Sequence, residues 1–596
     1  MDIAKSSLEV TLKKLKANSS FMSNVTAWRD LPPVNGSFAP FPEWMHPQLS
    51  EVLKKQGIME LYSHQREAIE FIKDGQDVVI VTPTASGKTL CYNIPVLQQI
   101  LEKPATRALY LFPTKALAQD QMKEAQAITA MFGCDIKTNT YDGDTPSDAR
   151  ARIRKQSGII ITNPDMLHTA ILPHHTKWQS FFLNLKFVVI DELHIYRGIF
   201  GSHFSNVIQR LLRICRFYGQ EPIFICCSAT VANPQEHAQN ILKKTATLVD
   251  KNGAPSAGKT FILYNPPIVN YELGTRQSAL TPTMSMASKL IDNDIQTIIF
   301  TTSRLNVEIL TKYLRDKCLD ATDKTSGEKI AGYRGGYLPA LRREIEEGIR
   351  TKKIKGVVST NALELGIDIG NLDACIICGY PGSIASTWQQ AGRAGRKKAK
   401  SLVLLVARSN PLDQFIAENP DYFFSSPPEF CRINPNNLLV LLSHIKSASF
   451  ELPFQIGETF GGIDIAEFLA YLEDNGVLHQ SGQQWHWSAN NYPANDINLR
   501  CINSDNVLLI DTTEVEHPIT IAEVDLDSAF TTVFTDAIYM LDGQSYQVTQ
   551  FDIEGQKAYL KKADVDYYTQ ANTYKKVCVV TPTESKYSAN ARVEHG

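Results

Sequence analysis

At 596 residues, 43% hydrophobic and 21% charged, the chain has the composition of an ordinary globular protein, and at about 150 residues per domain it is long enough for three to five units. A net charge of −3 argues against coating nucleic acid by bulk electrostatics, so any such binding must follow a local track. No apolar run reaches the roughly 20 residues of a membrane span, the N-terminus lacks a secretory h-region, and the odd count of 11 cysteines fits free thiols in a reducing compartment better than a disulfide framework.

Residues 1–55 read as a helical N-terminal segment. Over 56–250 short β-rich runs ("DVVIV", "RALYLF", "GIIIT", "FVVID", "PIFICCSAT") alternate with amphipathic stretches. This pattern predicts a parallel sheet covered on both faces. The series begins again at "QTIIF" and continues through "GVVST", "ACIICGY" and "SLVLLVA", predicting a second α/β unit over 251–415. The Pro/Gly/Ser-containing stretch 252–282 is the expected connection. Cys375 and Cys378 form the one C-x-x-C, but they sit in an apolar run that reads as strand core, with no second pair to complete a zinc site. Over 416–495 an amphipathic helix, a turn at "EDNGV" and a short ribbon predict a winged-helix module. Trp485 and Trp487 of that ribbon are expected to fill its core; stacking on bases is their other possible use. Residues 496–596 alternate like small antiparallel strands, a small β-rich, barrel-like domain. The polar end of the chain reads as a cut before a further domain.

Three stretches carry chemistry. "TPTASGKT" (82–89) fits a phosphate-binding loop except that Thr82 stands where the first glycine belongs. It lies between a strand and a helix, so backbone N–H groups of Thr84, Ala85, Ser86 and Gly87 can surround an anion, with Lys88 on the phosphates and Thr89 on Mg²⁺. Thr82 is acceptable there if the position needs no positive φ. "FVVIDELH" (187–194) ends a buried strand in two acids: Asp191 to hold Mg²⁺ and Glu192 to orient and deprotonate water. "QQAGRAGR" (389–396) offers Arg393 and Arg396, guanidinium groups suited to a phosphoryl transition state.

In their order these stretches resemble a superfamily 2 (DEAD/DEAH-like) helicase with two RecA-like halves. "YSHQ", "PTKALAQDQ", "TNPDML", "CSAT", "IIFTTSR" and "STNALELGIDIG" extend the resemblance over roughly residues 60–410. "DELHIYRGIFGSHFSNVIQRLLRICRFYG" and "GYRGGYLPALRREIE" are similar to the RecQ-related mitomycin repair factor A type of bacterial DNA helicase. The resemblance implies that Gln65 reads adenine, that Asp368 approaches the nucleotide sugar and Gln389 the γ-phosphate, and that His194, Ser228 and Thr230 couple the nucleotide to nucleic acid. Thr114, Lys115, Thr162, Asn163, Ser303, Arg304, Thr360 and Asn361 are implied to touch the phosphodiester backbone. It further implies ATP and Mg²⁺, a bacterial cytoplasmic, nucleoid-associated setting, no membrane, and 3′→5′ tracking on single-stranded and tailed duplex DNA in repair. Relatives of this type carry a four-cysteine zinc domain; no such cluster follows Cys501 and Cys578, so no zinc is expected. An RNA helicase, or an ATP-gated DNA clamp that never unwinds, are the competing readings.

Overall fold

Residues Val25–Leu31 form strand β1, and the first β-rich series supplies β2 (Val78–Val81), β3 (Arg107–Leu111), β4 (Thr138–Thr140), β5 (Ile159–Thr162), β6 (Leu185–Ile190), β7 (Ile223–Ser228) and β8 (Thr247–Val249) of the computed structural model. The structure describes residues 7–132, 136–143, 145–272, 274–318, 329–334, 337, 339–364, 370, 372–395, 400–500, 506–514, 516–541, 544–565, 567, 569–572, 574, 582, 584–588 and 591–595. The first sheet is wholly parallel, in the order β8-β2-β7-β6-β3-β5-β4. Its side chains alternate as a two-residue repeat requires. Val79, Val81, Leu109, Leu111, Val188 and Ile190 enter one core, and Val78, Ile80, Ala108, Tyr110, Phe187 and Val189 the other. Helices cover both faces, which is why these strands read as continuous apolar runs.

The second series supplies β9 (Lys259–Tyr264), β10 (Thr297–Thr301), β11 (Ile330–Tyr333), β12 (Gly356–Ser359), β13 (Ala374–Cys378) and β14 (Ser401–Val406). They pair in parallel in the order β9-β14-β13-β10-β12-β11. Strand β1 adds to the β9 edge antiparallel, with Trp28 opposite Ile262. Cys375 and Cys378 stand in the cores on opposite faces of this sheet. Residues three apart on a strand point opposite ways, so these two thiols cannot share a metal.

Three boundaries differ from the sequence reading. The N-terminal segment is not simply helical: after helices Ser7–Ala17 and Ser19–Met22, the β-branched and aromatic run "VTAWRDL" takes the free edge of the second sheet, where pairing outweighs the helical pattern around it. Residues 252–282 are not all connection, since β9 lies inside them; the link between β8 and β9 is 250–258. Helices Pro411–Glu418 and Pro420–Ser425 belong with the second half, because Ile416 and Phe423 enter its core and Phe423 stacks on Trp388 at 5.5 Å.

The next module has helices Leu438–Glu451 and Ala466–Asp474 and a three-stranded sheet, Phe454–Gln455 beside Gln484–Trp487 beside Leu478–Ser481. Gly482, at φ +61°, makes the tight ribbon turn. Trp485 and Trp487 are half-buried against the core of this winged-helix module, as expected. Residues Asn503–Gly596 form a second compact unit. Among its described residues five strands make an open sheet and not a barrel, ordered Ile519–Asp525, Asn506–Asp511, Lys557–Lys562, Gln544–Asp552, Ile538–Leu541. Its core includes Val507, Leu509, Val548 and Leu560.

Candidate nucleotide site and nucleic-acid face

Strand β2 is buried throughout and runs into the loop 82–87. Ala85 (φ +63°) and Gly87 (φ +81°) are left-handed, and Thr82 is not. Only a left-handed backbone demands glycine, so threonine is acceptable at the first position. Its buried hydroxyl lies 2.6 Å from Ser86 Oγ and ties the loop across its base. Helix Lys88–Glu102 starts at Gly87, which sets unpaired N–H groups and the positive dipole end at the loop. Lys88 Nζ donates to the carbonyls of Thr82 (2.7 Å) and Pro83 (3.0 Å). Thr84 and Thr89 are half-buried on either side.

Gln65, expected to read adenine, braces this loop. Its Oε1 accepts from Tyr62 N–H (2.9 Å) and its Nε2 donates to the Gly87 carbonyl (2.9 Å). One N–H and one lone pair of the amide remain for a base.

Strand β6 delivers the two acids. Asp191 Oδ1 accepts from Glu192 N–H at 2.9 Å, and Glu192 holds a left-handed backbone, φ +52°, a conformation that costs a non-glycine residue of order 1–3 kcal/mol and clusters at functional sites. Burial, and then the adjoining Glu192, push the Asp191 carboxyl up, while Lys88 pulls it down. Hard oxygens from Asp191, Glu192 and Thr89, short of positive charge, are a donor set that fits a divalent cation.

His194 is 6% exposed, and burial holds it neutral by lowering its pKa to about 4. Its Nδ1 accepts from Ala229 N–H (3.3 Å), so Nε2 carries the proton, and the Gln389 amide lies 2.7 Å from it. The contacting atom is the amide nitrogen, Gln389 Nε2, and because two N–H donors cannot face each other, a protonated His194 Nε2 requires the amide turned over so that its oxygen accepts. In "SAT" the link to His194 is therefore a backbone amide. Ser228 is buried with its hydroxyl on the Ala229 carbonyl (2.8 Å), and the Thr230 side chain is exposed.

Across the seam, helix Ile384–Ala391 ends against the phosphate loop. A Cβ at Gly392 would meet Thr84 Oγ1 at 2.4 Å. Gly392 has φ −68°, so space, and not backbone freedom, is what excludes a larger residue. Arg393 is fully buried, its Nε (3.1 Å) and Nη2 (2.6 Å) both donating to the Glu364 carbonyl. The structure thus brings Lys88, Asp191, Glu192 and His194 of the first half to one seam with Gln389 of the second, while Arg393 is buried against Glu364 within the second half. Asp368 and Arg396 lie outside the described residues.

The expected backbone contacts follow a simple pattern. Thr114, Asn163, Ser303 and Thr360 each cap the turn after a parallel strand, accepting from Leu117 N–H (3.4 Å), Met166 N–H (2.9 Å), Asn306 N–H (3.0 Å) and Ala362 N–H (3.4 Å). They follow β3 and β5, neighbours in the first sheet, and β10 and β12, neighbours in the second. Helix starts side by side at the carboxyl ends of strands suit phosphate. Lys115 opens the helix after Thr114, and Arg304 and Asn361 are exposed. Thr162 is buried, its hydroxyl donating to the Tyr141 carbonyl (2.6 Å), so its side chain positions the turn and does not face outward.

Sequence reasoning missed Glu364, Glu429 and Arg500. The Glu429 carboxylate accepts from Ile384 N–H (2.5 Å) and Ala385 N–H (3.1 Å), capping the helix before Gln389. Arg500 donates to the Pro113 carbonyl (2.9 Å) and pairs with Asp165 (3.0 Å), joining the two capped turns of the first half. Both act across long sequence separations, and no local pattern announces them. Glu364, an acid inside an apolar run, was the one legible signal.

A two-lobed nucleoside triphosphatase is the class this fold and seam define. The chain matches the DEAD/DEAH box helicase model over residues 62–238 and the helicase conserved C-terminal domain model over 283–398. It is 50% identical to the ATP-dependent helicase YprA of Bacillus subtilis, over 99% of this chain and 78% of that one. It is 34% identical to the ATP-dependent helicase HRQ1 of Saccharomyces cerevisiae, over 94% of this chain and 53% of the yeast protein. The crystal structure of the DUF1998 helicase MrfA bound to DNA and AMPPNP superposes with a TM-score of 0.87 at 50% identity, over 96% of this chain and 79% of that chain. The chain belongs to the superfamily 2 helicases, in the branch that contains YprA and MrfA, and is an ATP-dependent helicase.

Proposed function

We propose that this helicase hydrolyses ATP with Mg²⁺ at the seam between its halves and uses the cycle to track 3′→5′ along one DNA strand, separating duplex during DNA repair. The observation that carries the reading is the seam: the phosphate loop touches Gly392 through Thr84, and His194 touches Gln389, so one triphosphate can contact residues of both halves. Lys88 and the loop N–H groups bind and orient the phosphates. Glu192 takes the proton of the attacking water. Gln389, and Arg393 once its guanidinium exchanges the Glu364 carbonyl for a phosphate oxygen, would with Arg396 stabilise the charge that develops on the transferred phosphoryl group. Thr89 and Asp191 would hold Mg²⁺, which when bound neutralises charge between the phosphates. Bound triphosphate favours closure, and its hydrolysis removes that bias.

The nucleic-acid face runs across Thr114, Lys115, Asn163, Ser303, Arg304, Thr360 and Asn361, whose helix starts and hydroxyls hold phosphates without reading sequence. DNA is favoured over RNA because the MrfA structure superposing at 0.87 is described as bound to DNA. A setting among bacterial nucleoid DNA is part of this reading. The test is strand separation on paired 3′-tailed and 5′-tailed duplexes of DNA and RNA, with and without ATP. Preference for the 3′-tailed DNA duplex is expected. Separation of RNA alone, or of 5′-tailed DNA alone, would overturn it, and nucleotide-dependent binding without separation would mark a clamp.

A further inference from the structure

Glu364 sits where the two functional surfaces come closest along the chain. It closes the one-turn helix Asn361–Leu363 that Thr360 caps, its N–H donating to the Asn361 carbonyl at 2.9 Å. Its side chain is 9% exposed and borders a cavity of about 560 Å³ that Asn361, His194 and Gln389 also line.

The carboxylate and the carbonyl of the residue are both committed to one helix stripe. Ser386 Oγ donates to one carboxylate oxygen (2.6 Å) and Gln390 Nε2 to the other (2.8 Å). The Glu364 carbonyl receives Arg393 Nε and Nη2. Positions 386, 390 and 393 are spaced i, i+4, i+7, the repeat that places side chains along one face of a helix. One acid therefore holds the first turn, the last turn and the residue just past the end of helix Ile384–Ala391. Gln389, next to Gln390, is the residue that reaches His194, and Gly392, next to Arg393, abuts the phosphate loop.

Such a contact carries displacement. A shift of the Thr360–Asn361 turn moves Glu364, and a buried carboxylate with two donors resists parting from them. We propose that Glu364 is a positioning residue that passes strand engagement at the Thr360–Asn361 turn to Gln389 and Arg393, and so sets the rate of ATP hydrolysis once a strand is bound. This rests on the assignment of Gln389 and Arg393 to the nucleotide seam in the reading above.

The experiment measures ATP hydrolysis of the full chain against ATP and against a single-stranded oligodeoxythymidine, for the native protein, Glu364→Ala, Glu364→Gln and Arg393→Ala, with a thermal melt of each. In Glu364→Ala the strand-stimulated kcat is expected to fall about tenfold. The KM for ATP and the oligonucleotide concentration at half-stimulation should stay within about twofold, because neither surface is itself altered. Glu364→Gln should recover most of the loss: an amide still accepts one of the two donors, and the Ser386 hydroxyl can turn to accept from its NH₂. A stimulated kcat within about twofold of native in Glu364→Ala would overturn the proposal. So would a changed half-stimulation concentration with unchanged kcat, which would make Glu364 a strand-binding residue. Equal failure of the Gln and Ala variants with equally lowered melting would make it structural, and would overturn it too. If Arg393→Ala keeps native turnover, the seam assignment itself fails, whatever Glu364 does.

Discussion

Where the first half meets the second, the contacts are made by side-chain tips, His194 against Gln389, Thr84 against the Gly392 backbone and Arg350 paired with Asp120 at 3.8 Å, beside a cavity of about 560 Å³. Where the same half meets the winged-helix module, charge is interlocked in a closed core. Arg210, on helix Gly198–Phe217, is fully buried. Its Nε donates to both Glu451 carboxylate oxygens at 3.1 Å, and Nη2 adds a further bond. Its Nη1 donates to His168 Nδ1 (2.6 Å) and His444 Nδ1 (3.4 Å), which leaves the His444 Nε2 proton to His203 Nδ1 (3.0 Å). One turn on, Arg213 pairs with Glu458 at 2.6 Å and donates to the carbonyls of Ala448, Leu452 and Pro453. Its guanidinium stands 3.8 Å over the Phe454 ring. Contacts between side-chain tips can be exchanged for a ligand or water. A buried guanidinium–carboxylate pair cannot be parted without stranding a charge. The first interface is built to open, and the second makes the module and the first half one rigid piece.

The largest test of that contrast is Glu451→Ala. It leaves Arg210 buried without its counter-charge, and a loss of about 3–5 kcal/mol in unfolding free energy is expected by denaturant titration. A loss below about 1 kcal/mol would mean the junction is wet and mobile. At the seam, Lys88→Ala should lower phosphate release by about 10²–10³-fold, the usual cost of one preorganised donor on developing charge, with little change in melting. Retained turnover would mean that the loop is misassigned.

Gly392→Ala places a methyl 2.4 Å from Thr84 Oγ1 and should hold the seam apart, lowering kcat roughly tenfold. Adding Thr84→Ala removes the obstructing hydroxyl and should restore part of the rate. If the pair is no better than the single variant, the seam does not close through this contact. The smallest expected effect is on pH. Burial lowers His203 to about 4, and burial together with the Arg210 charge holds His168 and His444 well below the ordinary histidine range. The unfolded chain then binds more protons than the folded one as pH falls below the ordinary histidine pKa of about 6.5. The junction's contribution is therefore present above about 6.5 and is lost on acidification. Thermal melts across this range should show it, with a shallower slope in His203→Gln. An unchanged slope would remove His203 from the linkage.

Much of the site was legible because its parts are local. "TPTASGKT" and "DELH" each lie on one strand and the turn after it, and a strand–loop–helix order implies the direction of the N–H groups before any coordinates exist. The doubt over Thr82 needed a single angle, and the left-handed backbones fall at Ala85 and Gly87 instead. Other features were not legible, because the partner is far away in sequence. That the Gln65 amide also braces the Gly87 carbonyl is announced by no local pattern. Thr162 reads as a phosphate ligand until Tyr141 takes its hydroxyl. Strand β1 hides in a helical-looking segment because its partner, β9, comes more than two hundred residues later.

Hydrophobic period, loop chemistry and motif order are short-range properties, and from them the chain alone determined two α/β halves, a phosphate loop, a pair of strand-end acids and the helicase family. Which side chains meet across the seam, which acid binds the motif helix, and which arginines weld the winged-helix module to the first half were decided by tertiary structure. Those contacts depend on distance and burial between residues far apart in sequence, and neither quantity is written in any local pattern.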